Sequence, residues 1–174
     1  MVLNIKEIEK LIKEKALVAD FINLETQLTP NGFDLTAKTI FEFDSAGALD
    51  FSNKERKTPE GKEILPKKEK PEDKFGWWQL KKGAYRIVSN EIVSLPNDLI
   101  AIAFPRSSLL RMGGFCHNGV WDAGFQGRSE FILVIENPHG IKIKQNARLI
   151  QLIFISIDEV DKGYTGIYQN NHQK

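Results

Sequence analysis

One short stretch of the sequence holds a carboxylate in a distinctive setting. The segment NGVWDAGFQG, residues 118–127, places Asp122 between the bulky Trp121 and a glycine-containing turn that ends in Phe125. A carboxylate in a pocket floored by an aromatic ring could act as a general base or organise a metal ion. Asp122 could also be a turn aspartate whose side chain bonds its own backbone. Taken alone, the local sequence favours the turn.

A second stretch carries groups that suit an anion. The segment FPRSSLLRMGG leaves a predicted strand and gathers two arginines and two serines before a pair of glycines: Arg106, Ser107, Ser108 and Arg111. A guanidinium offers a planar fork of donors and each serine a hydroxyl, which together with free backbone N–H groups suit phosphate oxygens. Taken alone, this pattern is more typical of an ordinary polar surface.

Polar side chains recur in the later segment RLIQL, residues 148–152. Arg148 and Gln151 stand there in an otherwise apolar strand, where polar groups need partners if they are buried. A structural network explains this pair as well as a binding site does.

The elements that must position these groups are mainly strands. Asn4 and Glu7 have the spacing of a capping pair, and apolar residues follow at helical intervals, so one helix is predicted to end at about Lys15. After TPNG the chain changes to short runs rich in β-branched and aromatic residues: FDLTAKTIFEF, YRIVSNEIVSL, LIAIAF, FILVIE, IKIK and LIQLIFISI. Many short strands with one good helix predict an all-β sandwich or barrel.

Composition predicts a globular chain with one exceptional segment. The 174 residues are 41% hydrophobic and 27% charged, which predicts a single domain over residues 1–174 with a substantial core. Residues 52–74 are instead dominated by charges of both signs and hold three prolines. This segment is predicted to be a solvated loop or a mobile insertion.

Charge and cysteine content limit the partners. The formal net charge is only +1, which favours neither nucleic acid nor an anionic membrane as a partner, so an anionic ligand must be held locally. The single cysteine, Cys116, excludes an internal disulfide and favours a reducing compartment. No stretch approaches the ~18 apolar residues of a membrane span. We therefore expect a cytoplasmic protein with a small-molecule substrate. A histidine-built metal site is not expected, because three residues lack ligand spacing: His117, His139 and His172.

Five segments taken together resemble the ordered motifs of the dUTPase and dCTP deaminase superfamily. They are NGFDL (31–35), PRSSLLRMG (105–113), NGVWDAGFQG (118–127), RLIQL (148–152) and GYTGIYQ (163–169). The N-terminal helix and the lead-in GAYRIVSNEIVSLPNDLIAIAFPRSS are more similar to the deaminase-type branch. The resemblance covers nearly the whole chain. It implies a jelly-roll-like distorted β-barrel of the dUTPase type, assembled as a homotrimer with active sites at the subunit boundaries.

The resemblance also implies a role for each candidate residue. Asp122 matches the aspartate that touches the deoxyribose 3′-hydroxyl and activates the water that attacks the α-phosphorus. Phe125 matches an aromatic ring placed against the sugar, and Asp34 matches an aspartate linked through water to Mg²⁺. Asn118, Gly119 and Val120 match the hairpin that reads the pyrimidine edge. The positions that hold the triphosphate are matched by Arg106, Ser107, Ser108 and Gln151. Arg111 matches a position of the deaminase-like second motif.

One position separates the two activities of the superfamily. Deaminases use a glutamate ten residues beyond the aspartate of the third motif to move protons, and Ile132 stands there in this chain. An isoleucine cannot carry a proton, so this position favours a diphosphatase over a deaminase. Glu130 lies two residues earlier and would point to the same face of a regular strand. It is either a substitute for the missing glutamate or a surface charge near Arg128.

The C-terminal segment, residues 163–174, resembles the deaminase-type ending. Ile167 stands where deaminases usually carry a lysine, which removes one phosphate contact. Tyr164 or Tyr168 is predicted to close over the nucleotide when the tail orders, and a mobile tail is the alternative.

These observations favour a Mg²⁺-dependent dUTP diphosphatase that gives dUMP and pyrophosphate. The alternative within the superfamily is a dCTP deaminase, with or without coupled hydrolysis of dUTP. The alternative outside catalysis is a regulatory protein that binds a deoxynucleotide.

Overall fold

The computed structural model describes residues 1–172. These residues contain eleven strands and three helices. The helices are α1 (Ile5–Lys15), α2 (Leu24–Gln27) and α3 (Ser107–Arg111). The strands are β1 (Val18–Ala19), β2 (Leu28–Thr29), β3 (Gly32–Glu42), β4 (Lys62–Glu63), β5 (Trp77–Leu80), β6 (Gly83–Ser94), β7 (Leu99–Pro105), β8 (Gly114–His117), β9 (Gln126–Ile135), β10 (Ile141–Lys144) and β11 (Arg148–Ser156).

Helix α1 begins where the sequence predicts. The side chain of Asn4 accepts hydrogen bonds from the backbone of Lys6 and Glu7, and the Glu7 carboxylate accepts one from the Asn4 backbone in return. This reciprocal arrangement satisfies donors that the first turn of a helix leaves unpaired. Ile8 and Ile12 bury the apolar face of the helix in the core.

The main sheet is antiparallel and nearly closed. Its strand order is β7-β11-β3-β6-β9-β8, with three two-residue strands added at the sides and a separate β5–β10 pair. Trp121, just after β8, exchanges two backbone hydrogen bonds of 2.9 and 3.0 Å with Ala101 in β7. This contact joins the two edge strands, so the sheet curls into a barrel and the predicted all-β fold is confirmed.

Strand β9 alternates between the core and the outside. Phe131, Leu133 and Ile135 are buried in the hydrophobic core, and burial of such side chains contributes roughly 1.5–3 kcal/mol each. Glu130 and Ile132 occupy the opposite face, as the period of two requires. The two residues therefore face the same way, as predicted from the sequence.

A shift in register inserts a buried carboxylate beside the barrel. The pairing of β6 with β9 shifts between Val88 and Ile92, and Glu91 within the shift is completely buried. Its oxygens accept hydrogen bonds from the Thr36 backbone (2.9 Å), the Thr36 hydroxyl (2.6 Å) and Gln27 Nε2 (2.7 Å). Burial raises the pKa of the Glu91 carboxyl, and the hydrogen bonds from Thr36 and Gln27 oppose this rise.

The charged segment 52–74 lies mostly exposed and contributes only the short strand β4, which pairs with β3. Within residues 1–172, no helix has the length and the apolar character needed to span a bilayer.

Candidate active site

Asp122 lies at the first position of a tight turn. The turn closes through a backbone hydrogen bond of 3.1 Å from Phe125 N to Asp122 O. Gly124 within it has φ +79°, and a Cβ there would lie 2.8 Å from the Cα of Gly163. Both the left-handed backbone and the close approach of the tail therefore require glycine at this position.

The Asp122 carboxylate is exposed and has no hydrogen bond or ion pair within the described residues. The turn is held by its backbone, so it does not need the aspartate side chain as a cap. The alternative of a turn aspartate bonded to its own backbone is therefore not what the structure contains, and a role of Asp122 toward a ligand stays a prediction.

A buried relay fixes the residue before Asp122. The indole Nε1 of Trp121 donates to Ser129 Oγ at 2.8 Å, and Ser129 N donates to Ser89 Oγ at 3.0 Å. Ser89 in turn donates to the backbone oxygen of Glu91 at 2.9 Å. Buried polar groups that are fully paired hold one conformation, so the relay orients the turn.

A cavity of about 520 Å³ opens beside this turn. Phe125 and Tyr164 line it and meet edge to face, with ring centroids 5.7 Å apart. The predicted site residues that line it are Gly119, Val120, Asp122, Phe125, Tyr164 and Tyr168. Its volume and aromatic lining suit a small molecule such as a nucleoside.

Sequence reasoning missed several other residues of the cavity wall. Thr58 and Pro59 come from the charged segment, Arg86 from β6, and Asn171 and His172 from the tail. Arg86 carries a signal in the sequence, since it is a charged residue inside the apolar run YRIV. Thr58 and Pro59 carry none, because no periodicity predicts the path of a loop.

The hairpin that precedes Asp122 lies at the edge of a second hollow. His117, Asn118 and Gly119 line this hollow together with Glu130 and Ile132. Asn118 Nδ2 donates to the oxygen of Gly119 at 2.9 Å, which shapes the hairpin.

The candidate anion-binding residues gather elsewhere on the barrel. Arg106 Nε lies 2.9 Å from Asp34 Oδ2, and Arg148 Nη1 lies 3.2 Å from the same oxygen. Gln151 pairs with Asp34 across β11 and β3, and its side chain donates to Thr29 Oγ1 at 2.8 Å. The residues that follow Arg106 are exposed on α3: Ser107, Ser108 and Arg111.

Asp34 is buried beneath these two arginines, with only 1% of its side chain exposed. Burial raises the pKa of the Asp34 carboxyl, and the charges of Arg106 and Arg148 oppose that rise. Asp34 Oδ1 has no hydrogen-bond partner, although such buried oxygens normally have one. This oxygen is thus a buried acceptor that one bound water would satisfy.

The metal-binding capacity of this cluster is limited to one carboxylate. Residues 1–172 contain no group of three or more His, Cys, Asp or Glu side chains that could hold a metal ion. Mg²⁺ typically keeps several waters and uses one or two carboxylates together with substrate phosphates. The free oxygen of Asp34 fits such a link through water, and it does not fit a metal cage built by the protein.

The two groups of candidate residues lie apart within one chain. Trp121, which precedes Asp122, pairs with Ala101 in β7. Arg106 follows the end of β7 and lies five residues beyond Ala101 in the chain. Five residues of extended chain span about 16 Å. Asp122 and Phe125 line the cavity, whereas Arg106 and Gln151 do not.

The C-terminal tail lies against the Asp122 turn. Tyr164 N donates to the oxygen of Ala123 at 2.7 Å, and Gln169 Nε2 donates to the oxygen of Gly124 at 2.9 Å. Tyr164 and Tyr168 are thereby brought to the cavity, and closure of either ring over a nucleotide stays a prediction.

Comparisons with known proteins place the chain in a family. A family model described as dCTP deaminase-like matches residues 2–157. A Methanosarcina mazei protein named probable deoxyuridine 5′-triphosphate nucleotidohydrolase is 46% identical over 172 residues, covering 98% of this chain and 97% of its own. The deoxyuridine 5′-triphosphate nucleotidohydrolase of Methanocaldococcus jannaschii is 37% identical over 150 residues, covering 86% of this chain and 92% of its own.

A solved structure shares the fold. The 2′-deoxycytidine 5′-triphosphate deaminase from Agrobacterium tumefaciens matches with a TM-score of 0.63 and 20% identity. The match covers 88% of this chain and 47% of that deaminase, so the chain spans about half the length of this structural neighbour.

Proposed function

Since the chain belongs to the dCTP deaminase-like family, we propose that it is a dUTP nucleotidohydrolase, which converts dUTP to dUMP and pyrophosphate. Relatives that are 46% and 37% identical carry the name of this activity. The observation that carries the proposal is the exposed Asp122 carboxylate, which has no partner among the described residues and lines a cavity of nucleoside size.

Asp122 acts as the general base of the reaction. It accepts a proton from a water molecule whose oxygen attacks the α-phosphorus. The bond from that phosphorus to the bridging oxygen breaks, and pyrophosphate leaves with the bonding electrons. Phe125 packs against the deoxyribose, and its bulk excludes a 2′-hydroxyl.

The triphosphate is bound by the second group of residues. Arg106 supplies a guanidinium, and Arg111 adds an exposed cation. Ser107 and Ser108 supply hydroxyls and backbone N–H groups, and Gln151 supplies an amide. These donors neutralise and position the phosphates, which is most of what phosphoryl transfer requires from a protein. Asp34 would hold Mg²⁺ only through water, together with the substrate phosphates, and the ion would add charge neutralisation.

A homotrimer would bring the two groups together. Arg106 does not line the cavity beside Asp122, and in this proposal a second copy of the chain supplies the phosphate-binding group. The exposed side chains of Phe104, Leu110 and Phe115 supply apolar surface near α3 for such a contact. The active site is thus shared between subunits in this proposal.

Hydrolysis rather than deamination is supported by the outward face of β9. Ile132 lies there and lines the second hollow, and its side chain cannot transfer a proton.

A cytoplasmic location, predicted from the single cysteine, is part of the same proposal. It includes neither a nucleic-acid nor a membrane partner, because the net charge is only +1.

The direct test incubates the purified protein with dUTP and, separately, with dCTP in the presence of Mg²⁺. Chromatography identifies the nucleotides, and pyrophosphate and ammonia are assayed in parallel. We expect dUMP and pyrophosphate from dUTP and no ammonia from dCTP. Ammonia from dCTP would make the protein a deaminase. Nucleotide-dependent tryptophan fluorescence without any product would make it a binding protein.

A further inference from the structure

We propose that Glu130 is a positioning residue that fastens the C-terminal tail, residues 163–172, across the nucleoside cavity. The inference deepens the proposed function and rests on it, because the tail matters only if the cavity takes a nucleotide. It assigns a role to the carboxylate that lies two residues before Ile132.

Glu130 contacts the end of the tail directly. Asn171 Nδ2 donates to Glu130 Oε1 at 3.3 Å, and His172 Nε2 contacts the same oxygen. These three residues all line the cavity. Glu130 is only 25% exposed, so water competes little for the contacts.

The tail backbone adds to the start of β9. Asn170 N donates to the oxygen of Gln126 at 2.7 Å, and Arg128 N donates to the oxygen of Asn171 at 3.0 Å. Gly127 and Asn171 form a parallel bridge, and a Cβ at Gly127 would lie only 3.0 Å from the Asn171 nitrogen. The tail is therefore attached beside Glu130 as well as at Tyr164.

Tyr168 lies between the two attachment points and lines the cavity. The guanidinium carbon of Arg56 lies 6.0 Å from the centroid of its ring, at the outer limit of a cation–π contact. The tail thus joins the charged segment at the cavity mouth, and fastening its end keeps Tyr168 over the nucleotide.

Arg86 holds Glu130 in place from the other side. Its Nη1 lies 3.4 Å from both carboxylate oxygens of Glu130. The guanidinium also stacks over Phe41, 4.5 Å from the ring centroid, and donates to the oxygen of Glu60. Three side chains therefore surround the Glu130 carboxylate: Arg86, Asn171 and His172. These contacts assign Glu130 a structural role rather than a role in proton transfer to the nucleobase.

The test compares Glu130→Ala and Glu130→Gln with wild type and with Glu136→Gln. Glu136 is a matched control because it follows β9 but forms only an exposed ion pair with Lys82. Amide hydrogen exchange of residues 164–172 and the kinetics of dUTP hydrolysis are measured for each protein. Loss of the anchor is expected to raise KM for dUTP about tenfold, the equivalent of about 1.4 kcal/mol, and to speed exchange in the tail.

Further variants make the result specific. The double variant Asn171→Ala, His172→Ala is expected to reproduce both effects. Glu130→Gln is expected to be intermediate, because its amide oxygen still accepts a hydrogen bond. Glu136→Gln is expected to match wild type. Unchanged tail exchange in Glu130→Ala would overturn the inference. So would a loss of kcat with unchanged KM and tail exchange, because Glu130 would then act in the chemistry. A wild-type protein that fails to hydrolyse dUTP would defeat the proposed function, whereas the exchange experiment tests the anchor independently.

Discussion

The indole nitrogen of Trp121 lies 2.8 Å from the hydroxyl oxygen of Ser129, and both side chains are buried. This bond connects the residue before Asp122 to the interior of the barrel. Because Trp121 is fixed in the interior, it also fixes the position of the exposed Asp122 that follows it.

Ser129→Ala is expected to lower both stability and activity. The indole N–H would remain buried without a partner, which costs about 1–3 kcal/mol, and the turn at Asp122 would become less well positioned. Urea unfolding and kcat/KM for dUTP measure the two effects. Ser45→Ala, an exposed serine in a loop, serves as control. Wild-type activity in a destabilised Ser129→Ala protein would show that the relay does not position Asp122.

Phe125→Leu is expected to weaken discrimination against ribonucleotides. A smaller side chain leaves room for a 2′-hydroxyl, and differences of this size in a pocket typically change selectivity about 10- to 100-fold. The ratio of kcat/KM for dUTP to that for UTP measures the effect. An unchanged ratio would mean that another group contacts the sugar.

Asp34→Asn is expected to raise the Mg²⁺ concentration that gives half-maximal activity. The amide has no negative charge to hold the hydrated ion, and Arg106 and Arg148 lose their shared partner. Turnover of dUTP is titrated with Mg²⁺ in this variant and in Asp158→Asn, an exposed control. A variant with wild-type Mg²⁺ dependence would separate Asp34 from the metal.

The raised pKa of the Glu91 carboxyl predicts an unusual dependence of folding stability on pH. Its pKa is raised in the folded protein, so the folded state binds more protons than the unfolded state in the window above the ordinary value of 4.5. Stability from this group is therefore greatest below that value and is lost as the pH rises through the folded-state pKa.

Urea unfolding of wild type and Glu91→Gln at several pH values tests this. Glu91→Gln cannot titrate, so the stability advantage of wild type over the variant should shrink as the pH rises. A difference that stays constant or grows with pH would contradict the direction of the pKa shift.

The strands and the Asp122 turn could be predicted from sequence because their signals are local. Alternation of apolar residues identifies β9, and glycines mark the turn that ends at Phe125. The family resemblance then supplies roles for Asp122 and Asp34, which neither periodicity nor composition could give.

Features that depend on register or on loop paths could not be predicted. Arg148 meets Asp34 next to a shift in the pairing of β11 with β3, between Arg148 and Ile150, which no sequence pattern marks. Glu91 is buried within a shift in the pairing of β6 with β9, and the sequence does not reveal this shift. Thr58 reaches the cavity through a charged segment whose sequence contains no signal for its path.

Substitution of the base tests the central claim most directly. Asp122→Asn keeps the size of the side chain and removes its ability to accept a proton from water. Binding of a non-hydrolysable dUTP analogue, followed by tryptophan fluorescence, and pyrophosphate release from dUTP are measured on the same preparation. We predict nearly unchanged binding and a loss of kcat of at least about 100-fold, as expected for a general base. Wild-type turnover by Asp122→Asn would contradict the account.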